Sequence, residues 1–362
     1  MIKIKMKDTT RNNMFTYALV IVAFIIVQLL IKGGNISSSL QGQLVPICAY
    51  VVMAISLNLT VGILGELSLG HAGFMSVGAF AGVVAAISLE NIIPMTLLRV
   101  AISMITGALC AGIAGALVGI PVLRLKGDYL AIVTLAFGEI IKNLINCLYV
   151  GLDKAGLHFS FLTNADALNL TEGGKVIIEG PLGITGIPRL STFTMGFVLI
   201  LVTLFIVLNL IDSRSGRAIM ALRDNRIAAE SVGIHVTKYK LMAFVISAAL
   251  AGAAGTLFAM NFSTVIASKF NFNTSILILV FVVLGGLGNI RGSIIAATVL
   301  TILPEILRQF NNYRMLIYAI VLILIMIATN NPVIKNHLSN LWNSILPSSL
   351  RKEKEGAENG QS

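Results

Sequence analysis

Between Met14 and Thr329 the chain is a succession of apolar runs separated by short polar or glycine-rich stretches. Runs such as 14–31, 193–211 and 241–260 approach the roughly 20 helical residues needed to cross a hydrocarbon core of about 30 Å. Charged residues make up 12% of the chain, against about 25% in an ordinary soluble domain. The expected fold class is therefore all-α: a polytopic transmembrane helix bundle of about ten (8–10) crossings, near 14–31, 44–62, 68–88, 96–120, 128–149, 193–211, 241–260, 274–288, 292–309 and 314–329. The first run is read as a helix and not a secretion signal, because no small-residue cleavage site follows in 32–39.

Charge placement orients the bundle. The net charge is +10, which in a soluble protein would point to nucleic acid. Here 17 of the 26 basic residues fall on one side if the N-terminus is cytoplasmic, from Lys3, Lys5, Lys7 and Arg11 through Arg124, Lys126, Arg214, Arg217, Arg223, Arg226, Lys238, Lys240 and Arg291 to Lys335, Arg351, Lys352 and Lys354. That bias predicts both termini inside. It divides the chain into a cytoplasmic segment 1–13, a membrane domain 14–331 and a cytoplasmic tail 332–362. The membrane domain carries an external loop 150–191 and a cytoplasmic loop 212–240. Cys48, Cys110 and Cys147 sit inside apolar runs with no close pair, so they are expected to pack, without forming disulfides or a zinc site.

Small residues four apart, at Gly78 and Gly82, Gly115 and Gly119, and Ala251, Gly255 and Ala259, predict close helix packing. Two other glycine clusters interrupt apolar runs: GILGELSLGHAG (62–73) and GGLGNIRG (285–292). Non-helical backbone at membrane depth must be buried in protein or line a wet cavity, and paired interruptions mark transport pathways. Glu66, Ser68, Gly70, His71, Gly73, Gly285, Gly286 and Gly288 are thus candidate pathway residues; tight cytoplasmic turns are the competing reading. Glu139 and Lys142, three apart in the fifth run, are expected to pair and to face the interior, with Asn143 and Asn146 on the same stripe. Glu139 reads first as a structural partner, with a pathway-lining role as the alternative. His71 reads as a hydrogen-bonded packing histidine, with no second His or carboxylate placed to make a metal site.

The external stretch 151–190 carries turn signals at Gly173, Gly174, Gly180, Pro181, Gly186 and Pro188 and a strand-like KVIIE run; a loop this long seldom lacks a purpose. The cytoplasmic stretch 213–240 reads as one helix of about four turns, capped by Ser215 and ended by Gly233. Ala218, Leu222, Ala229 and Val232 are expected on one side, offering a small-residue face to a partner. Beyond Pro347 the tail is polar and charged, the composition of a disordered segment.

GELSLGHAGFMSVGAF (65–80), LRLKGDYLAIVTLAFGEI (123–140), the stretch 215–259 and VLGGLGNIRGSIIAATVLTILPEILR (283–308), in that order, resemble the LivM-type permease subunits of branched-chain amino acid ABC importers. The resemblance runs from about 44 to 331. It implies a coupling helix docking into an ATPase, for which Gly216, Arg217, Ala218, Arg223, Asp224, Ala228, Ala229, Glu230 and Gly233 are the candidates. Ile227 stands where the family's acidic residue would be. It also implies a LivH-type second permease, two ATP-binding subunits that hold ATP and Mg, an external substrate-binding protein and a bacterial cell membrane. The chain itself has no G-x-x-x-x-G-K-[ST], so no cofactor and no enzyme activity is expected of it, and no nucleic acid. A permease for urea, short amides or another small polar solute remains an alternative, as does an ion-coupled secondary transporter.

Overall fold

The computed structural model describes residues 8–330 without 35–36, 91, 126, 154–155, 162–167, 169–173 and 309–312. Most of the N-terminal segment, the whole tail 332–362, and Lys3, Lys5, Lys7, Lys126, Lys154, Asp166, Glu172, Gly173, Lys335, Arg351, Lys352 and Lys354 lie outside the described residues. Every expected crossing is a helix: α1 (Asp8–Lys32), α2 (Ser38–Asn58), α3 (His71–Ser88), α4 (Thr96–Val122), α5 (Asp128–Asn146), α6 (Phe193–Asp212), then, beyond two short helices α7 (Arg214–Asp224) and α8 (Arg226–Ser231), α9 (Val236–Ala259), α10 (Phe272–Gly285), α11 (Ile290–Ile306) and α12 (Arg314–Asn330). Length and composition let eight helices among the described residues cross a membrane, α10 with the 3-10 turn Ala267–Lys269 before it. The helices α11 and α12 have 17 residues each. The described residues up to Ile302 form one compact unit, and α12 belongs to a second.

The core of the first unit is α9 packed on α3, α4 and α2. Its tightness comes from the small residues the sequence singled out. A Cβ on Gly78 would fall on the backbone of Gly252, one on Gly82 on Thr256, one on Gly115 2.5 Å from the Ala248 Cβ, and one on Gly255 on the Met75 carbonyl. Thr256 Oγ1 donates to the Gly78 carbonyl at 2.8 Å, so the close approach is also hydrogen-bonded. By contrast α1 and α4 turn large apolar side chains outward, Leu29 and Leu117 among them, as lipid-facing helices must. Cys48 packs as expected, while Cys110 and Cys147 are exposed, because they fall on the outward stripes of their segments; all three are free.

Two local structures depart from simple helices. After α2 the chain makes a π-helical turn, Leu59–Ile63, and then runs non-helically to Gly70. His71, the first residue of α3, lies against Ser56, which sits about 10 Å back up α2 from Ile63 by the rise per residue. The seventh expected crossing starts at Val236 and not 241; Ser247 on that helix is also within 3.4 Å of His71. Residues 64–70 therefore rise part-way into the bundle as non-helical chain, and α3 begins inside it. Part of their polar backbone is satisfied internally, with Glu66 N donating to the Thr60 carbonyl at 3.1 Å and Leu69 N to Thr134 Oγ1 at 3.1 Å.

The long loop folds as an antiparallel sheet that an all-α reading leaves out. Its strands are β1 (Tyr149–Asp153), β2 (Gly156–Ser160), β3 (Lys175–Glu179), β4 (Ile184–Thr185) and β5 (Thr264–Val265), in the order β2-β1-β3-β4-β5. KVIIE is β3, as its β-branched alternation suggested. The β5 strand ties this loop to the connection after α9, with Ile184 paired to Val265. The fifth helix accordingly ends at Asn146 and not 149, since Tyr149 and Val150 are claimed by the sheet.

Candidate functional site

The candidate pathway residues separate into two places. The second glycine cluster meets the end of α2. Asn58, fully buried, accepts from Gly288 N on its Oδ1 at 2.8 Å and donates from Nδ2 to Ser293 Oγ at 2.9 Å. One amide thus pins the turn between α10 and α11 to the π turn. Gly288 has φ +79° and Gly286 φ +93°, a left-handed region that L side chains rarely adopt. Gly285 is a glycine for another reason: a Cβ there would strike the backbone of Gly292 and Ser293. Arg223 of α7 reaches the same seam, donating from Nη1 to the Gly62 carbonyl at 3.0 Å. Gly285, Gly286 and Gly288 thus lie at the end of α10 and the turn after it, and Gly62 lies in the π turn.

Gly70, Gly73, His71 and Glu139 lie deeper. A Cβ on Gly70 would fall on the Thr134 carbonyl, and one on Gly73 would come within 2.9 Å of the Gly138 Cα. The start of α3 therefore rests on the backbone of α5. Gly70, Gly73, Gly138 and Glu139, with Asn271 and Ser275 at the start of α10, surround a cavity of about 10 Å³, room for about one water. The N-termini of α3 and α10 both meet here: Ala72 N donates to Ser275 Oγ at 3.1 Å, and Asn271 caps α10 through Thr274 N at 3.1 Å. Such termini carry about half a positive charge each. Glu139 is paired with Lys142, as their spacing predicted.

His71 is 1% exposed, the environment expected of a packing histidine. Ser56 Oγ spends its proton on the Met53 carbonyl at 2.9 Å, and Ser247 Oγ donates to the Ser56 carbonyl. Both hydroxyls can only accept from His71 Nε2, which lies 2.9 Å from the first. That assignment puts the ring proton on Nε2. Nδ1 then has no hydrogen-bond partner among the described residues, and neither does the buried Ser68 Oγ. Glu66 does not join this group; it forms a buried ion pair with Lys240 of α9. Lys240 is thus not a loop charge, since the helix begins before it.

The cytoplasmic segment is two helices and not one. The cap of α7 is Ser213, which accepts from Gly216 N at 3.1 Å, in place of the expected Ser215. Asn225 breaks the run: its backbone is extended (φ −154°, ψ 103°) and its side chain caps α8 through Ala228 N at 3.1 Å. Gly233 does end the segment in a left-handed conformation, φ +86°. The expected common face is not formed. Leu222 and Ala229 are buried with Val236 in a cluster of their own, whereas Val232 is 76% exposed and Ile227 80%. The bend at Asn225 rotates α8 so that Ile227, Ala228 and Glu230 face outward while Ala229 faces in. Gly216 is buried, where a Cβ would meet the Leu210 carbonyl; Ala218 is half-buried and Arg217 exposed. Arg223 and Asp224 pair with each other at 3.0 Å, and Arg226 lies 4.0 Å from Glu230.

Reasoning on the sequence missed Ser56, Asn58, Thr134, Gly138, Ser247 and Ser275. They are small polar or glycine residues inside apolar helices, and a rule that follows charge and glycine clusters passes over them.

Comparison with known proteins gives a consistent picture. The family model described as branched-chain amino acid transport system / permease component matches residues 39–326. The chain is 33% identical over 339 residues to the high-affinity branched-chain amino acid transport system permease protein LivM of Salmonella typhimurium, covering 88% of this chain and 74% of that one. With LivM of Escherichia coli the identity is 34% over the same shares. The ribose import permease protein RbsC of Haemophilus influenzae is 25% identical, over 77% of this chain and 81% of its own length. No solved structure gives a significant match.

Proposed function

The chain belongs to the branched-chain amino acid transport system / permease component family, and from that membership we propose that it is a membrane-spanning subunit of an ABC importer that moves leucine, isoleucine or valine. It is a multi-pass membrane protein. In this reading two ATPases in trans bind ATP and Mg, a LivH-type permease completes the passage, and an external binding protein delivers the amino acid. Both termini face the cytoplasm of a bacterial cell. The observation that carries the reading is the exposed tip of α8, with Ile227 and Val232 clear of the chain's own core on a segment anchored by Leu222 and Ala229. A soluble partner inserting there supplies the energy that this chain has no motif to harvest.

The passage runs beside the start of α3. A carboxylate is favoured near the positive end of a helix that begins inside the bundle, and the side chain of a branched amino acid needs an apolar pocket. The cavity of about 10 Å³ beside Gly70, Gly73 and Glu139 admits no such molecule. Transport therefore requires the starts of α3 and α10 to separate from α5, a population shift between closed and open arrangements driven by differential affinity. Glycines at the contact allow the closed state to seal backbone against backbone.

The identity with RbsC supports a second cargo reading, a small polar solute carried by the same kind of permease. Reconstitution of the full importer separates the two. Labelled leucine should accumulate only with ATP inside the vesicle and binding protein outside, and excess isoleucine or valine should compete. Competition by urea or ribose but not by valine would transfer the chain to the second reading. Uptake following an ion gradient without ATP would remove it from the class.

A further inference from the structure

Arg223 sits in the segment assigned to ATPase docking, but its guanidinium points back into this chain. Nη1 donates to the Gly62 carbonyl at 3.0 Å, and the aliphatic stem covers Gly65, where a Cβ would come within 2.6 Å of the Arg223 Cγ. Gly65 has φ +79°, so the chain turns there in a conformation that only glycine adopts freely, and it does so directly under the arginine. One residue on, Glu66 is tied to Lys240. The non-helical stretch that leads up to His71 is therefore held at its lower end by two long cations, one from α7 and one from α9. Asn58 joins the same point to the turn before α11.

We propose that Arg223 is the positioning residue through which the cytoplasmic segment moves residues 62–70, and with them the start of α3. This inference rests on the ABC-permease reading above and deepens it. A guanidinium N–H donated to a main-chain carbonyl transmits displacement in a way that an apolar contact, free to slide, does not. The bond to Asp224 Oδ1 through Nε at 3.1 Å and Nη2 at 3.0 Å keeps the fork rigid on α7. A pull on α8 reaches α7 through the shared Leu222–Ala229 cluster, and α7 reaches the π turn through Arg223. The residue thereby changes role: it faces the gate and not the ATPase.

The test uses the whole importer in proteoliposomes, wild type against Arg223→Ala. Wild-type coupling is measured first, so that failure of the ABC reading itself shows as absent ATP-driven uptake before any variant is compared. In R223A the ATPases should co-purify and hydrolyse ATP, while leucine uptake per ATP falls roughly tenfold, the loss expected for one hydrogen bond to a charged group. Hydrogen exchange of residues 62–70 should change in wild type when a non-hydrolysable ATP analogue is added, and R223A should lose that nucleotide dependence. Arg223→Lys, which keeps a cationic donor but not the planar guanidinium, should restore part of the coupling, and it supplies the same readouts if R223A does not accumulate. Unchanged uptake per ATP overturns the proposal. So does loss of ATPase co-purification, which would make Arg223 a partner contact.

Discussion

Substituting Lys240 by Met should be among the most destabilising single changes in the membrane domain. Its side chain is 7% exposed and that of its partner Glu66 13%, so neither charge has water to fall back on when the other is removed. Stranding a buried carboxylate costs about 3–5 kcal/mol, a factor of roughly 10² to several times 10³ in the folding equilibrium. The double variant E66Q/K240M removes both charges and should lie within about 1 kcal/mol of wild type, because a buried pair repays little beyond its own desolvation. The assay is equilibrium unfolding by SDS titration in mixed micelles for wild type, both single variants and the double. The expected interaction energy of the cycle is at least about 2–4 kcal/mol in favour of the double, the K240M cost less that of the double, and it grows by whatever E66Q costs alone. Additive effects, or a K240M variant as stable as wild type, would refute the claim that these two charges hold each other.

Other changes follow from the same geometry. Gly70→Val drives its side chain into the Thr134 carbonyl and should abolish uptake while the ATPases still co-purify; a normal rate would move the α3–α5 contact off the pathway. Ile227→Asp, at 80% exposure, leaves the fold intact and should reduce ATPase retention on an affinity column by roughly tenfold, as expected of an apolar contact residue worth more than 1 kcal/mol. Gly252→Val collides with Ala111 and the Gly107 carbonyl; with overpacking of about 1–3 kcal/mol or more, it should lower the amount of folded protein in membranes, measured by size-exclusion of a fluorescent fusion.

The crossings were legible because each is a long apolar run, and lipid demands length before anything else. The small-residue packing faces were legible for a similar reason, since glycine inside an apolar helix is there for close approach. What escaped was pairing across the sequence. Glu66 and Lys240 are 174 positions apart, and a single chain gives no signal that joins them. The same holds for Asn58 and Gly288. The cytoplasmic segment was misread as one helix because its amphipathic pattern runs on through Asn225; the clue was the Asn itself, which competes with helix by capping the turn that follows. In the external loop KVIIE declared itself, whereas Tyr149 was absorbed into the preceding helix because it continues an apolar run.

The most direct test of the account is the location and neighbour of Ile227. In a chain whose Cys48, Cys110 and Cys147 are replaced by Ser, Ile227→Cys should react with a membrane-impermeant maleimide only in inside-out vesicles. It should also form a disulfide cross-link to the ATPase when cysteines are introduced along the partner's cleft, with a yield that changes on ATP binding. Labelling from the outside, or cross-links to lipid-embedded chains with none to an ATPase, would contradict it.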